Sequence, residues 1–92
     1  NVLEACQKNI SDIFASDHED RFAKVPHETN ALGLPLITDA LAQFSCATEQ
    51  RVQAGDHLVL IGRVKAFAHS GGTGLGYAGG RYFTLNDTPI PA

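Results

Sequence analysis

The first part of the chain alternates hydrophobic and polar positions with the period of a helix. Over residues 4–15, apolar side chains recur every three or four positions, and polar side chains fill the other side. The apolar stripe consists of Leu3, Cys6, Ile10, Ile13 and Phe14. This pattern predicts an amphipathic helix. A second short helix is predicted from Ser16, because Ser16 and Glu19 have the spacing of a capping box.

The predicted helices end before residue 24, and a hydrophobic pattern with a period of two begins near residue 42. Residues 24–39 include two prolines and predict a loop with an extended piece at Leu34–Ile37. The alternation that follows is typical of a strand that is buried on one side. One predicted face of this strand carries Ala42, Phe44, Cys46, Thr48 and Val52. A turn is predicted at residues 54–56.

The next predicted strand begins at His57 and is apolar on both faces near its start. One face is continuous and carries Leu58, Leu60, Gly62, Val64 and Ala66. The opposite face carries His57, Val59, Ile61, Arg63, Lys65 and Phe67, so it starts apolar and becomes charged. Strands that are apolar on both faces are usually covered on both faces. This end of the strand is therefore predicted to be buried by another subunit or by a ligand.

The glycine-rich segment at residues 70–83 contains the letters of a dinucleotide fingerprint, G-x-G-x-x-G, at Gly74, Gly76 and Gly79. That fingerprint requires a helix directly after the glycines and an acidic residue about 20 positions later. Only twelve residues follow Gly80, and they begin with the strand-forming run RYFTL. The segment therefore predicts a glycine-rich hairpin loop and no dinucleotide-binding helix.

The order of elements predicts an α+β fold with mainly antiparallel strands. Helices come first, and an antiparallel meander follows, ending with strands at Gly74–Tyr77 and Arg81–Leu85. A chain of 92 residues with 43% hydrophobic and 18% charged residues is typical of one small globular domain. The absence of methionine and the strand-like opening NVL indicate a piece of a longer protein.

Composition also narrows the class of partner. With a net charge of −3, the chain lacks the excess of basic residues that nucleic-acid-binding domains carry, so no nucleic-acid partner is expected. No run approaches the roughly 18 apolar residues of a membrane helix, so no membrane partner is expected. Cys6 and Cys46 are far apart and predict buried free thiols in a reducing cytoplasm.

Two places in the sequence are candidates for a metal site or a catalytic residue. The run Asp17–Asp20 could suggest a metal site, but consecutive residues of a helix do not face one point, so no metal is predicted. His57 follows the turn Gly55–Asp56 and begins a strand, and such junctions carry function because a rigid sheet positions them. The alternative for His57 is a turn residue with a half-buried ring, and the residue pattern leaves both open.

The ordered set of segments resembles the second half of the flavin reductase, FMN-binding split-barrel family. The segments are NVL, DIFAS, DRFAKV, LPLITDALAQFSC, AGDHLVLIGRV and LGYAGGRYFTL, which together cover nearly all of residues 1–85. The resemblance implies part of a split β-barrel with one or two short helices. It makes residues 1–92 the C-terminal portion of a single flavin reductase-like domain, whose N-terminal half, with the residues that hold the flavin phosphate, is absent from this chain.

The resemblance also implies an activity. Members of the family are NAD(P)H:flavin oxidoreductases that reduce free FMN or FAD and supply the reduced flavin to a partner monooxygenase. We therefore expect NADH or NADPH as the second cofactor, a homodimer, and a cytoplasmic location. The alternative is a non-catalytic split-barrel module that binds flavin or haem. Hydride transfer between two cofactors requires placement and no acid–base pair, and the sequence offers no such pair.

The site residues implied by the resemblance fall on eight positions. The histidine of the GDH segment lies by the nicotinamide and the flavin in the family, which makes His57 the catalytic candidate as a positioning and electrostatic residue. The implied cofactor-binding residues are Asn1, Val2 and Leu3 of NVL, Arg21 and Phe22 of the RF pair, and Arg81 and Tyr82 of the closing segment.

Overall fold

The computed structural model describes residues 1–85 together with Ile90 and Pro91. A 3₁₀ turn at Ala5–Gln7 leads into helix α1, Lys8–Phe14, and a second 3₁₀ turn lies at Phe22–Lys24. Within these described residues, six strands form three antiparallel pairs: β1 His27–Thr29 with β2 Pro35–Ile37, β3 Ala42–Ala54 with β4 His57–His69, and β5 Gly74–Ala78 with β6 Arg81–Leu85. The predicted fold class, α+β with mainly antiparallel strands, is confirmed.

The predicted N-terminal helix is confirmed, and a capping box lies at its entrance. The Glu4 carboxylate accepts a hydrogen bond from the Cys6 N–H at 2.8 Å, and the Gln7 side-chain oxygen accepts one from the Glu4 N–H at 2.9 Å. These bonds satisfy amides that the first turn leaves without partners. The stripe buries Ile10, which is only 7% exposed.

The second helix predicted from Ser16 is wrong. The Ser16 hydroxyl donates back to the Ile13 carbonyl and closes α1, so it does not cap a new helix. The Ser16 carbonyl accepts two hydrogen bonds from the Arg21 guanidinium, at 2.7 and 3.1 Å. In place of the predicted helix, residues 16–24 form a 3₁₀ turn at Phe22–Lys24, where the Asp20 carboxylate accepts from the Ala23 N–H at 3.2 Å.

The predicted loop at residues 24–39 contains a short hairpin. The extended piece is confirmed as β2, whereas β1 was not predicted. Asn30 shapes the connection, because its side-chain oxygen accepts hydrogen bonds from the Leu32 and Leu34 N–H groups, both at 3.0 Å. An Asn side chain that bonds its own loop in this way is a common turn device.

The long β3–β4 hairpin has the predicted turn, where Gly55 adopts φ +62°. Its predicted faces are wrong in part, because register shifts lie between Ser45 and Cys46 and between Thr48 and Gln50. Lys65 and Glu49 are the unpaired extra residues, and each resets the alternation of its strand. The residues displaced from their predicted faces are Val52, Ala66 and Phe67; Phe67 pairs directly with Phe44, with ring centroids 6.2 Å apart.

The β5–β6 hairpin is confirmed with its glycine turn, where Gly79 and Gly80 have φ +59° and +76°. The N-terminal segment lies between this hairpin and β3. Val2 bridges Ala42 on one side, and Glu4 bridges Gly74 on the other. The N-terminal residues therefore join two hairpins that are otherwise separate pairs.

The core is small and lies around α1. Its buried residues are Ile10, Val25, Ile37 and Ala40, against which Leu3, Ile13, Phe14 and Phe22 pack. The β3–β4 hairpin, by contrast, exposes large apolar side chains on both faces, including Leu60 at 60% on one face and Val59 at 46% on the other. Cys46 lies on this hairpin, and both Cys6 and Cys46 are exposed free thiols, so the prediction of buried cysteines is wrong. In the described part of the chain, no helix is long and apolar enough to cross a bilayer.

Candidate functional site

Backbone pairing fixes the N-terminal segment Asn1–Leu3. The Val2 N–H donates to the Ala42 carbonyl at 2.7 Å, and the Val2 carbonyl accepts from the Leu41 N–H at 2.8 Å. The Leu3 carbonyl accepts from the Leu75 N–H at 3.1 Å. The three residues implied by the NVL segment are therefore held in one extended conformation between β3 and β5.

The Asn1 side chain also fastens this segment to β2. Its oxygen accepts a hydrogen bond from the Ile37 N–H at 2.9 Å, and its amide nitrogen donates to the Pro35 carbonyl at 3.3 Å. Since Ile37 is only 4% exposed, the first of these bonds satisfies an N–H in a buried residue. Asn1 thereby sets the distance between the N-terminal segment and β2.

A depression of about 290 Å³ lies where the N-terminal segment, α1 and β2 meet; we call it the first depression. Its lining residues are Asn1, Leu3, Ser11, Phe14, Phe22 and Ile37. Phe14 and Phe22 pack edge to face, with ring centroids 4.9 Å apart, which fixes the aromatic wall. The structure thus brings together three of the predicted cofactor-binding residues, Asn1, Leu3 and Phe22, around a largely apolar space.

Arg21 has a structural partner in this chain. Both hydrogen bonds from its guanidinium go to the Ser16 carbonyl, and the side chain is half-buried. This contact closes the loop between α1 and the Phe22–Lys24 turn. Arg21 therefore positions Phe22, its neighbour in sequence, at the wall of the first depression.

A second depression, of about 480 Å³, lies between α1 and the β5–β6 hairpin. Its lining residues are Ser11, Asp12, Ala15, Tyr77, Gly80 and Tyr82, so Ser11 is shared with the first depression. The Tyr82 hydroxyl oxygen lies 2.9 Å from both the Ser11 hydroxyl and the Asp12 carboxylate. These contacts bring the predicted residue Tyr82 next to the first depression.

Lys8 forms a polar cluster with Asp12 and Tyr82, the latter two of which line the second depression. Lys8 Nζ lies 3.0 Å from Asp12 Oδ2 and 5.0 Å from the centre of the Tyr82 ring. Hydrogen bonds from Lys8 and then from Tyr82 lower the pKa of the Asp12 carboxyl below its ordinary value. The same ion pair raises the pKa of Lys8. Asp12 is consequently ionised, and Lys8 protonated, at neutral pH.

The structure does not bring His57 or Arg81 to either depression. His57 lies at the tip of the β3–β4 hairpin, with its side chain 83% exposed and its Nε2 3.3 Å from an Asp56 carboxylate oxygen. Arg81 is exposed at the start of β6. Within the described residues, no three His, Cys, Asp or Glu side chains converge as metal ligands would.

Sequence reasoning missed seven lining residues of the two depressions, which are Ser11, Asp12, Phe14, Ala15, Ile37, Tyr77 and Gly80. Ser11 and Asp12 belong to the polar side of α1, and Phe14 and Ile37 are apolar residues that pattern analysis assigns to a core. The signal that could have found Ser11 is its place beside the apolar stripe, between Ile10 and Phe14, where a polar side chain reaches the core edge.

The family model and the curated relatives that match this chain all point to the same family. The sequence model of the family described as "Flavin reductase like domain" matches residues 1–86. Over 84 residues, the chain is 49% identical to a Rhizobium meliloti protein named "Probable flavin reductase". It is 46% identical, again over 84 residues, to the reductase component of a flavin-dependent trigonelline monooxygenase from Acinetobacter baylyi. Each match covers 91% of this chain and 27% of the relative, so the chain spans about a quarter of their length.

Solved structures show the same relationship. The chain superposes with a TM-score of 0.84 and 30% identity on an NADH:FAD oxidoreductase from Streptomyces globisporus, whose structure is a complex with NAD and FAD fragments. The superposition covers 91% of this chain and 52% of that chain. This likeness to a flavin reductase confirms the predicted split-barrel fold.

Proposed function

Because this chain belongs to the flavin reductase like domain family, we propose that the intact protein oxidises NADH or NADPH and reduces free FMN or FAD. The observation that carries this proposal is the meeting of Asn1, Leu3 and Phe22 at one depression, as the family resemblance implies. When bound, the nicotinamide supplies a hydride that the flavin accepts, so the protein supplies placement and exclusion of water.

The residues of the first depression fit one side of a flavin ring. A flat, largely apolar ring system needs an apolar wall, which Leu3, Phe14 and Phe22 offer, and a few fixed polar groups at its edge. Ser11 supplies a hydroxyl at that edge. The residues that hold the flavin phosphate are proposed to lie in the part of the domain that this chain does not span, since it covers about a quarter of its relatives' length.

The chain's own residues would act in this reaction by position. Asn1 fixes the N-terminal segment against β2, and Arg21 holds the loop that carries Phe22. The packed rings of Phe14 and Phe22 would form one apolar wall of the space that the flavin ring is proposed to occupy. No side chain in this set needs to move a proton.

His57 does not line the first depression, so another arrangement must bring its imidazole to the cofactors. It lies at a hairpin tip whose neighbours Leu58, Val59 and Ile61 are between 42% and 52% exposed. We propose that a homodimer covers this apolar tip and places the His57 imidazole of one subunit beside the nicotinamide. Two exposed apolar faces on one hairpin support a cover there, because soluble proteins rarely leave large contiguous apolar surfaces open. The family resemblance, which implies a homodimer, is the reason for proposing the second subunit as part of that cover.

The names of the relatives indicate which kind of enzyme would use the reduced flavin. One relative is the reductase component of a flavin-dependent monooxygenase. We propose by extension that reduced flavin made by the intact protein passes to a separate monooxygenase. The free thiols of Cys6 and Cys46 support a reducing compartment such as the cytoplasm for this exchange.

The turnover test uses the full-length protein with NADH and either FMN or FAD. The proposal predicts a loss of reduced-nicotinamide absorbance that depends on both the protein and the flavin. A rate equal to that of the protein-free control would overturn it. Replacing NADH by NADPH, and FMN by FAD, then identifies the preferred pair.

The alternative is a module that binds flavin or haem without turnover. It is favoured by one observation, the exposed position of His57 outside the first depression. This alternative predicts that purified full-length protein retains its ligand tightly and oxidises no NADH. Sustained turnover would exclude it.

A further inference from the structure

Gln7 is a buried polar side chain to which the proposed reaction gives no role. It lies in the 3₁₀ turn before α1 and is only 6% exposed, although it lines neither the first nor the second depression. Glutamine is seldom fully buried, because its amide loses hydrogen bonds to water unless the protein replaces them. The partners of the Gln7 amide therefore show what this residue does in the fold.

The Gln7 side chain joins two segments that are far apart in the sequence. Its oxygen accepts a hydrogen bond from the Glu4 N–H, and its nitrogen donates one to the Thr38 carbonyl, both at 2.9 Å. The second of these bonds spans 31 positions. One planar carboxamide, which is both a donor and an acceptor, thus holds the N-terminal segment and the end of β2 at a fixed separation.

Both partners of Gln7 adjoin residues that form walls of the first depression. Glu4 follows Leu3, which lines the depression from the N-terminal segment. Thr38 follows Ile37, which lines it from β2. Asn1 bonds the same β2 residue from the other end of the N-terminal segment. The segment is therefore tied to β2 on both sides of Leu3, and the width between the two walls depends on both carboxamides.

We propose that Gln7 is a positioning residue, which sets the width of the first depression and thereby its affinity for the flavin ring. This inference rests on the proposed function, since it takes the first depression as the flavin site. A flat ring gains attraction from a wall only at contact distance, and a gap of about 0.5–1 Å already forfeits a quarter to a half of that attraction. A wall that is released from Gln7 therefore binds the ring more weakly.

Two substitutions of Gln7 in the full-length protein test this role. Gln7→Met keeps the length of the side chain and removes both bonds, whereas Gln7→Glu keeps the acceptor for the Glu4 N–H and removes the donor to the Thr38 carbonyl. We expect the KM for FMN to rise about tenfold in Gln7→Met, since the net loss of one hydrogen bond corresponds to roughly that factor. It should rise in Gln7→Glu as well. Once FMN saturates the site, kcat and the KM for NADH should stay close to their wild-type values.

A role of Gln7 in stability alone predicts a different pattern. Loss of folded protein lowers the apparent kcat in proportion to the active fraction and leaves the KM for FMN unchanged. Gln43→Met is the matched control, because the half-buried Gln43 side chain donates to the Ile37 carbonyl at 2.8 Å, and no hydrogen bond among the described residues links that side chain to the N-terminal segment. Both Met variants should melt at a lower temperature, but only Gln7→Met should raise the KM for FMN. A wild-type KM for FMN in both Gln7 variants, or an equal rise in Gln43→Met, would overturn the proposal.

Amide hydrogen exchange on the full-length wild type tests the same contact without any substitution. If flavin binding requires both walls in place, FMN should slow exchange of the Glu4 N–H, whose acceptor is the Gln7 side chain. At an FMN concentration of 100 times its Kd, the slowing should approach about 100-fold. The Gly33 N–H, which donates to the Asn30 carbonyl in the β1–β2 loop, is the control and should exchange at an unchanged rate. Equal exchange of the Glu4 N–H with and without FMN would contradict the proposal.

The Kd for FMN, measured from the change in flavin fluorescence on binding, separates this inference from the proposed function. If wild type oxidises NADH and the Gln7 variants bind FMN as tightly as wild type does, only the role of Gln7 is refuted. If wild type binds FMN without oxidising NADH and Gln7→Met binds it about tenfold more weakly, the role of Gln7 stands and the reductase function is refuted.

Discussion

The side-chain oxygen of Asn1 accepts a hydrogen bond from the Ile37 N–H at 2.9 Å, across 36 positions of the sequence. This single contact ties the N-terminal segment to β2 at the edge of the first depression. It also occupies an N–H of the core residue Ile37, which is 4% exposed. The bond therefore contributes to both stability and the shape of the candidate flavin site.

Asn1→Ala in the full-length protein should destabilise the fold by about 1–3 kcal/mol, because the Ile37 N–H loses its acceptor in a buried setting. Asn1→Asp retains an acceptor oxygen and loses only the donor to the Pro35 carbonyl, so it should cost less. Chemical denaturation of the three proteins measures the difference. Equal losses for the two variants would show that the Ile37 contact is unimportant.

Asp12 makes stability depend on pH. Its folded pKa lies below its ordinary value because of hydrogen bonds from Lys8 and Tyr82, so its ionised form stabilises the fold. That contribution is fully present above the ordinary carboxyl pKa of about 4 and is lost as pH falls through the lowered folded pKa.

Melting temperatures of full-length wild type and Asp12→Asn, measured from about pH 7 down to pH 3, test this dependence. Wild type should be slightly more stable at neutral pH, and the difference should shrink in acid; the effect is small because the pair is exposed. Asp17→Asn is the matched control, since Asp17 makes no ion pair within the described residues. A difference that persists unchanged into acid would show that the ionised form of Asp12 is not what stabilises the fold.

Residues 1–92 expressed alone should associate. The β3–β4 hairpin exposes Leu60 and Phe67 on the same face, and a two-stranded hairpin without cover is marginally stable. Light scattering and size-exclusion chromatography should show oligomers or aggregates, which the double substitution Leu60→Lys and Phe67→Lys should reduce. A monomer with a sharp cooperative melt would argue against a covered hairpin.

His57→Ala in the full-length protein should lower kcat/KM for NADH. The loss should correspond to about 1–3 kcal/mol of transition-state stabilisation, the cost of losing one hydrogen bond to a polar ligand group. Flavin affinity should change little. The melting temperature should also stay constant, because the imidazole is 83% exposed and its contact with Asp56 is an exposed pair. A lowered melting temperature with unchanged kinetics would remove His57 from the site.

Local patterns in the sequence predicted the regular elements well. The stripe that includes Ile10 predicted the first helix, and the glycine turn at Gly79 and Gly80 predicted the last hairpin, because both depend on near neighbours. The prediction placed a capping box at Ser16, because serine is a favoured N-cap residue, whereas the box forms at Glu4. Residue type alone does not show which carbonyl a hydroxyl will reach.

The faces of the long hairpin and most of the candidate site depend on contacts between distant residues. No local signal marks Lys65 as an unpaired residue, so strict alternation placed Phe67 on the wrong face. The bonds from Asn1 to Ile37 and from Tyr82 to Asp12 span 36 and 70 positions. Family resemblance could indicate Asn1 and Tyr82, but it could not supply their partners within this chain.

The central claim, that the intact protein transfers a hydride from a nicotinamide cofactor to a flavin, is tested most directly by anaerobic stoichiometry. Full-length protein is mixed with NADH and a limiting amount of FMN without oxygen, and the absorbances of both cofactors are followed together. The account predicts that one NADH is oxidised for each flavin bleached, at a rate proportional to protein concentration. Flavin that remains oxidised, or bleaching no faster than in the protein-free mixture, would contradict it.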